Sequence, residues 1–201
     1  MTNSNEQNKN PDFIGSWYLK DDSIIDDLLN LYKNNHKSHH KGVTESGVNE
    51  EWVKSVDFDM TALNMDQNEF KILTRYLEFL KECFYDYKSQ YNHLETMFNN
   101  LNCNEYMIKK YEKGDHYHKV HCERSETATA LRQFAWMTYL NDVKEGGRTE
   151  FVYYNKKIKP EKGLTIIWPT DWTHMHCAET TEDTKYIITG WLKLTPKGLT
   201  T

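Results

Sequence analysis

The stretch YHKVHCE (117–123) packs two histidines, a cysteine and a glutamate into one short run. In an extended chain, side chains two apart share a face and their neighbours point the other way. His121 and Glu123 then point together, Cys122 turns to the opposite layer, and His118 faces away from His121. An imidazole and a carboxylate on one face can hold one ion, but two ligands do not make a site. The third has to come from elsewhere, and WTHMHCAETTEDTKYIITGW (172–191) offers His174 or His176. A set of two histidines and one carboxylate covers one face of an octahedron and leaves positions for substrate and O2, as non-haem Fe(II) requires. Imidazole also suits zinc, so the ligand types leave iron, another metal and no metal all open. Lys185 opens KYIITGW, in which Lys185, Ile187, Thr189 and Trp191 share a face. An ammonium there, with the Thr189 hydroxyl, suits an anionic co-substrate beside a metal. The plainer reading is an exposed lysine at the start of a strand.

These residues need a scaffold. The chain has 201 residues, enough for one domain with a real core. Apolar residues are only 38%, but aromatics reach 13%, and they bury large areas. The net charge of −5 argues against a nucleic-acid binder. No apolar run is long enough to cross a membrane. Residues 1–12 are polar and lack a signal-like core, so a disordered tail is expected before one domain over 13–201. Four cysteines without a CxxC pair fit a reducing, cytoplasmic setting.

Residues 13–19 read as a short strand and 21–35 as an amphipathic helix with an Asp cap. The loop 36–51 carries three histidines, read as solvated. Residues 66–97 repeat apolar positions at Phe70, Leu73, Leu77, Leu80, Phe84, Tyr87, Tyr91 and Leu94. This predicts one long helix or two joined ones, laid on a sheet or, alternatively, forming a dimer seam. Helical support is thus expected over about 21–98. From 105 to 194 come short segments rich in β-branched and aromatic residues: 105–111, 117–123, 132–141, 148–154, 164–169 and 185–194. With no long helix between them, a parallel βαβ sheet is excluded and an antiparallel sandwich or barrel is favoured.

The ordered block YEKGDHYHKVHCE…YLNDVKEGGRTEFVYYNKKIKPEKGLTIIWP…HMHCAETTEDTKYIITGW resembles the prolyl 4-hydroxylase-like branch of the 2-oxoglutarate/Fe(II) dioxygenases. Its Tyr-x-x-Gly turn, His-x-acid, Tyr-Leu-Asn, acidic-Gly-Gly-x-Thr-x-Phe, Pro-x-x-Gly and His-then-Lys-then-Trp features follow that family's order. The resemblance implies a mainly β protein with N-terminal helices, its core a double-stranded β-helix (jelly roll, cupin-like) with helices packed outside. It implies that His121, Glu123 and His176 bind Fe(II). Lys185 would hold the distal carboxylate of 2-oxoglutarate, helped by Tyr139 and Thr189; Tyr111 would line that pocket and Trp191 would pack beside the metal. Gly146 and Gly147 would form a turn needing special backbone angles.

Three features depart from the family pattern. Glu123 stands where this branch usually has Asp, CAETTEDT replaces the usual Gly-x-Pro, and His174 competes with His176. The spacing to Lys185 favours His176. The implied activity is hydroxylation of a protein, peptide or amino acid, with proline as one candidate position, using O2 and releasing succinate and CO2, with ascorbate as a reductant. The rival expectation is a non-catalytic jelly-roll module that binds a metal or ligand. A zinc hydrolase lacks an evident separate general base, and nucleic-acid demethylation conflicts with the acidic charge. The loops 36–51 and 152–160, the latter with Lys156, Lys157 and Lys159, are candidates for the substrate rim.

Overall fold

A computed structural model describes residues 12–44, 47–61, 65–91 and 93–195. The polar tail expected over 1–12 lies, but for Asp12, outside the described residues. Two antiparallel sheets carry the structure. The larger runs in the order β1 (Gly15–Tyr18), β11 (Leu164–Pro169), β8 (Arg132–Tyr139), β13 (Lys185–Leu194), β6 (Tyr106–Tyr111), β4 (Val56–Asp59) and β2 (His39–Lys41), with β5 (Leu101–Asn102) also pairing with β13. The smaller runs β10 (Lys156–Ile158), β9 (Thr149–Phe151), β12 (His176–Ala178), β7 (His116–His121) and β3 (Val53–Lys54). This is a jelly-roll core, mainly β, with two helices on its outside.

The large sheet is apolar on both faces because each is covered. On β8, Phe134 and Trp136 face outward into the helices, while Ala135, Met137 and Tyr139 face the second core between the sheets. Its near-continuous apolar run is what double burial requires. Helix α1 (Asp22–Asn34) starts at Asp21, whose carboxylate accepts a hydrogen bond from Ser23 N, and buries Ile24, Ile25, Leu28, Leu31 and Tyr32. Helix α2 (Gln67–Ser89) starts with a reciprocal capping box between Asp66 and Glu69. Its buried stripe is Leu73, Tyr76, Leu80, Cys83 and Tyr87, rotated from the stripe the sequence predicts. Phe70 is 63% exposed, while Leu77 and Phe84 lie at the margin. Tyr76 displaces them because its hydroxyl finds a buried partner in Thr138, which in turn bonds Thr165. The helix is therefore laid on the sheet of its own chain, each large apolar side chain contributing about 1.5–3 kcal/mol by burial.

Several strands differ from the sequence reading. β7 ends at His121, so Glu123 is not on a continuous strand. β4 was not expected, because Asp57 and Asp59 occupy positions that usually read as solvent-facing; here Asp57 is buried. His174 and His176 do not share a strand, since Trp172–His174 forms a 3-10 turn and β12 begins at His176.

Candidate metal and co-substrate site

The two sheets bring His121 and His176 together. They are direct cross-strand partners on β7 and β12, with ring centroids 4.4 Å apart. Glu123 follows β7 by a short step, and its backbone N–H donates to Thr170 O at 3.1 Å, tying it to the end of β11. Its Oε1 lies 3.6 Å from His121 Nε2 and 3.2 Å from His176 Nε2. The three donor atoms lie within 4.8 Å of one another. His174 is turned away: Nε2 meets Asp12 O at 2.8 Å and Nδ1 meets Thr173 Oγ1 at 2.9 Å.

The tautomers follow from the partners. His121 Nδ1 donates to Lys119 O at 2.8 Å and His176 Nδ1 to His174 O at 2.9 Å. A carbonyl can only accept, so each neutral ring carries its proton on Nδ1 and turns an Nε2 lone pair to the centre. The second carboxylate oxygen of Glu123 accepts from Trp191 Nε1 at 2.8 Å. Arg132 stacks on the Trp191 ring at 3.6 Å, with Nη1 3.9 Å from Glu123 Oε2. Burial works to raise the Glu123 pKa, but with both imidazoles carrying a proton on Nε2 as well, their N–H groups donate to Oε1 and hold the carboxyl well below its ordinary value; a bound cation would take the place of those protons. Two imidazole lone pairs and one ionised oxygen form a donor set that suits a divalent ion.

Lys185 sits deeper in the same cavity of about 440 Å³. It is 2% exposed, and among the described residues no carboxylate pairs with it. Its Nζ donates to Gly147 O at 3.0 Å and lies 4.4 Å from the centre of the Tyr111 ring. Burial pulls its pKa down to about 8, against a smaller opposing pull from Glu179. Gly146 and Gly147 have φ of 71° and 64°, so the turn does need left-handed backbone, and it aims the Gly147 carbonyl at the ammonium. A buried ammonium with spare donors, facing a cavity, fits the carboxylate of a co-substrate.

Tyr111, Thr189 and Trp191 line the cavity beside Lys185. The Thr189 hydroxyl donates to Trp136 O at 2.8 Å, which leaves it only as an acceptor toward the cavity. Tyr139 stands behind the wall, fully buried, its hydroxyl 2.7 Å from Thr149 Oγ1; Thr149 is the one that lines the cavity. His40, Val43 and Thr44 line the rim, as the first candidate loop predicts. The second does not contribute: Lys156 pairs with Asp12, and Lys157 with Glu150 and Glu179. Arg132 and the buried pair Lys109–Asp57, 2.6 Å apart, also line the cavity and were not singled out in the sequence. The position of Arg132 at the head of an aromatic strand was the available signal; its partner Trp191 is remote in sequence.

Residues 106–193 match the family model described as the 2OG-Fe(II) oxygenase superfamily. Among curated proteins, none matches the sequence. Among solved structures, the viral collagen prolyl hydroxylase of Paramecium bursaria chlorella virus-1, in complex with 2OG, aligns at TM-score 0.65 and 17% identity, covering 94% of this chain and 100% of that one. A prolyl-4-hydroxylase of Pseudomonas putida aligns at 0.68 and 14%, covering 90% and 92%. A prolyl hydroxylase of Trichoplax adhaerens, in complex with a hypoxia-inducible-factor peptide, aligns at 0.68 and 17%, covering 92% and 84%. The chain therefore resembles the 2OG-Fe(II) oxygenase superfamily in sequence over residues 106–193, and solved prolyl hydroxylases in fold over at least 90% of its length.

Proposed function

We propose that the chain is an Fe(II)- and 2-oxoglutarate-dependent dioxygenase that hydroxylates a peptide or protein, with proline as the leading target residue. The observation that carries this reading is the joint presence, in one cavity, of a two-histidine, one-carboxylate donor set and a buried lysine without a carboxylate partner. His121, Glu123 and His176 would hold the iron and Lys185 the distal carboxylate of 2-oxoglutarate. Bound together, these groups would couple decarboxylation of 2-oxoglutarate to O2 activation, giving succinate, CO2 and a hydroxylated product.

The chain's own residues do the rest. Trp191 keeps Glu123 Oε2 engaged, so Oε1 is the oxygen turned to the histidines. Tyr111, Met137 and Ile187 give the co-substrate end of the cavity apolar walls, which strengthen the lysine's attraction for an anion. The preference for a peptide rests on the Trichoplax relative and its peptide; that for proline rests on the named activities of the solved relatives.

The test is anaerobic addition of Fe(II) and 2-oxoglutarate to the apo protein, followed by the metal-to-ligand charge-transfer absorption, then succinate release under O2 with ascorbate as reductant. The band and succinate are expected from the wild type and neither from Glu123→Ala. A band without succinate, across a panel of proline-containing peptides, would favour the non-catalytic binding module. Full turnover by Glu123→Ala would show that the ligand assignment is wrong.

A further inference from the structure

His176 differs from His121 in what holds it. Both rings donate from Nδ1 to the carbonyl two residues earlier. For His121 that carbonyl belongs to Lys119, inside β7. For His176 it belongs to His174, in a 3-10 turn outside the strand ladder. The turn bonds His174 N–H to Asp171 O at 2.8 Å and Met175 O accepts from Val152 N at 2.9 Å, but among the described residues no ladder bond holds the His174 carbonyl itself, and its direction needs further support.

The His174 side chain meets that need. It is 3% exposed, and both ring nitrogens are engaged. Nε2 donates to the backbone carbonyl of Asp12 at 2.8 Å, so Nδ1 is the acceptor for the Thr173 hydroxyl at 2.9 Å. His174 is thus the Nε2–H tautomer, opposite to the two candidate ligands. Asp12 is itself anchored. One carboxylate oxygen accepts from Ile14 N at 2.9 Å and the other from Lys156 Nζ at 2.7 Å. The segment preceding β1, the strand β10 and the turn before β12 therefore meet behind one imidazole.

We propose that His174 is a positioning residue. Clamped by Asp12, it fixes the carbonyl that sets the tautomer and ring direction of His176, and so tunes the metal affinity of the site. This rests on the metal-site reading above. It gives His174, the first histidine of HMH, a role that is not ligation, and it makes the start of the fold part of the support for the metal site.

The test uses Co(II) as probe, with affinity read by calorimetry and the ligand field by visible absorption, on the full chain. His174→Phe keeps a planar ring and removes the donor to Asp12; His174→Gln places an amide N–H near the Nε2 position. Loss of such an outer hydrogen bond is expected to weaken Co(II) binding about 10–100-fold in His174→Phe and to alter its spectrum, with His174→Gln restoring most of the affinity. Apo melting temperature is followed in parallel. Wild-type affinity and spectrum in a folded His174→Phe would overturn the positioning role alone. So would equal losses of affinity in both variants that track their melting temperatures. A wild-type chain that takes up no Co(II) would overturn the metal-site reading and this role with it.

Discussion

Glu123 carries its carboxylate one methylene further from the backbone than an aspartate would, and the structure shows where the extra reach goes. Oε1 stands between two imidazoles and Oε2 reaches the Trp191 indole. Shortening the side chain gives up one of these contacts, so Glu123→Asp is expected to weaken Co(II) binding about tenfold, measured by titration. Lys185 sets a second expectation. Its pKa in the free protein is pulled down from 10.5 to about 8 by burial. A carboxylate binds the ammonium form, which is nearly fully populated at pH 6.5 and falls to about a tenth at pH 9. Affinity for 2-oxoglutarate, measured calorimetrically, is therefore expected to be flat below about pH 7 and to fall above about pH 8. Lys185→Met should abolish most of that affinity and leave no such slope. For stability the sign is opposite. Between about pH 8 and 10.5 the unfolded chain binds the proton that the folded chain has lost, so this residue's contribution improves as pH rises. Accordingly, Lys185→Met is expected to raise the apo melting temperature near pH 7. The His-x-Glu spacing made Glu123 legible as a partner of His121, whereas Lys185 was legible chiefly through the ordered family resemblance. Arg132 was not, since its meaning depends on Trp191 and Glu123, which only the fold brings near.

At the scale of elements, the turn at Gly146–Gly147 was legible through the resemblance of EGGRTEF to the family's acidic-Gly-Gly-x-Thr-x-Phe feature, and both glycines do take positive φ. A Cβ at Gly147 would stand 3.1 Å from Thr181 Oγ1 and 3.3 Å from Lys185 Cδ, at a φ of 64°. Gly147→Ala is therefore expected to cost about 1–3 kcal/mol in urea unfolding and to weaken 2-oxoglutarate binding along with it. β4 was hidden for the opposite reason. Its acids face the cavity rather than water, where Asp57 meets Lys109 and Ser55, so the usual alternation is reversed. α2 was legible as a helix, but not in rotation, because hydrophobicity alone does not say that Tyr76 will find Thr138.

For the whole molecule, the N-terminal half does more than cover the core. β1 pairs with β11 on one side of the large sheet, and β4 and β2 extend it beyond β6 on the other. The helices bury the outer face around Leu80, so Leu80→Ala is expected to cost about 2–5 kcal/mol in thermal or urea unfolding. The general plan was legible as helices before a β core, whereas the strands contributed from the first half were not. Pairings between distant segments follow from closure of the two sheets and leave no local pattern. β13 makes the consequence plain. It lies between β8 and β6, and is made after both. Until its ten residues leave the ribosome, a slot runs down the middle of the sheet, and Lys185 and Trp191 are not yet in place. Assembly of the large sheet therefore waits for β13, and a nascent chain halted at residue 184 should remain protease-sensitive and dependent on chaperones.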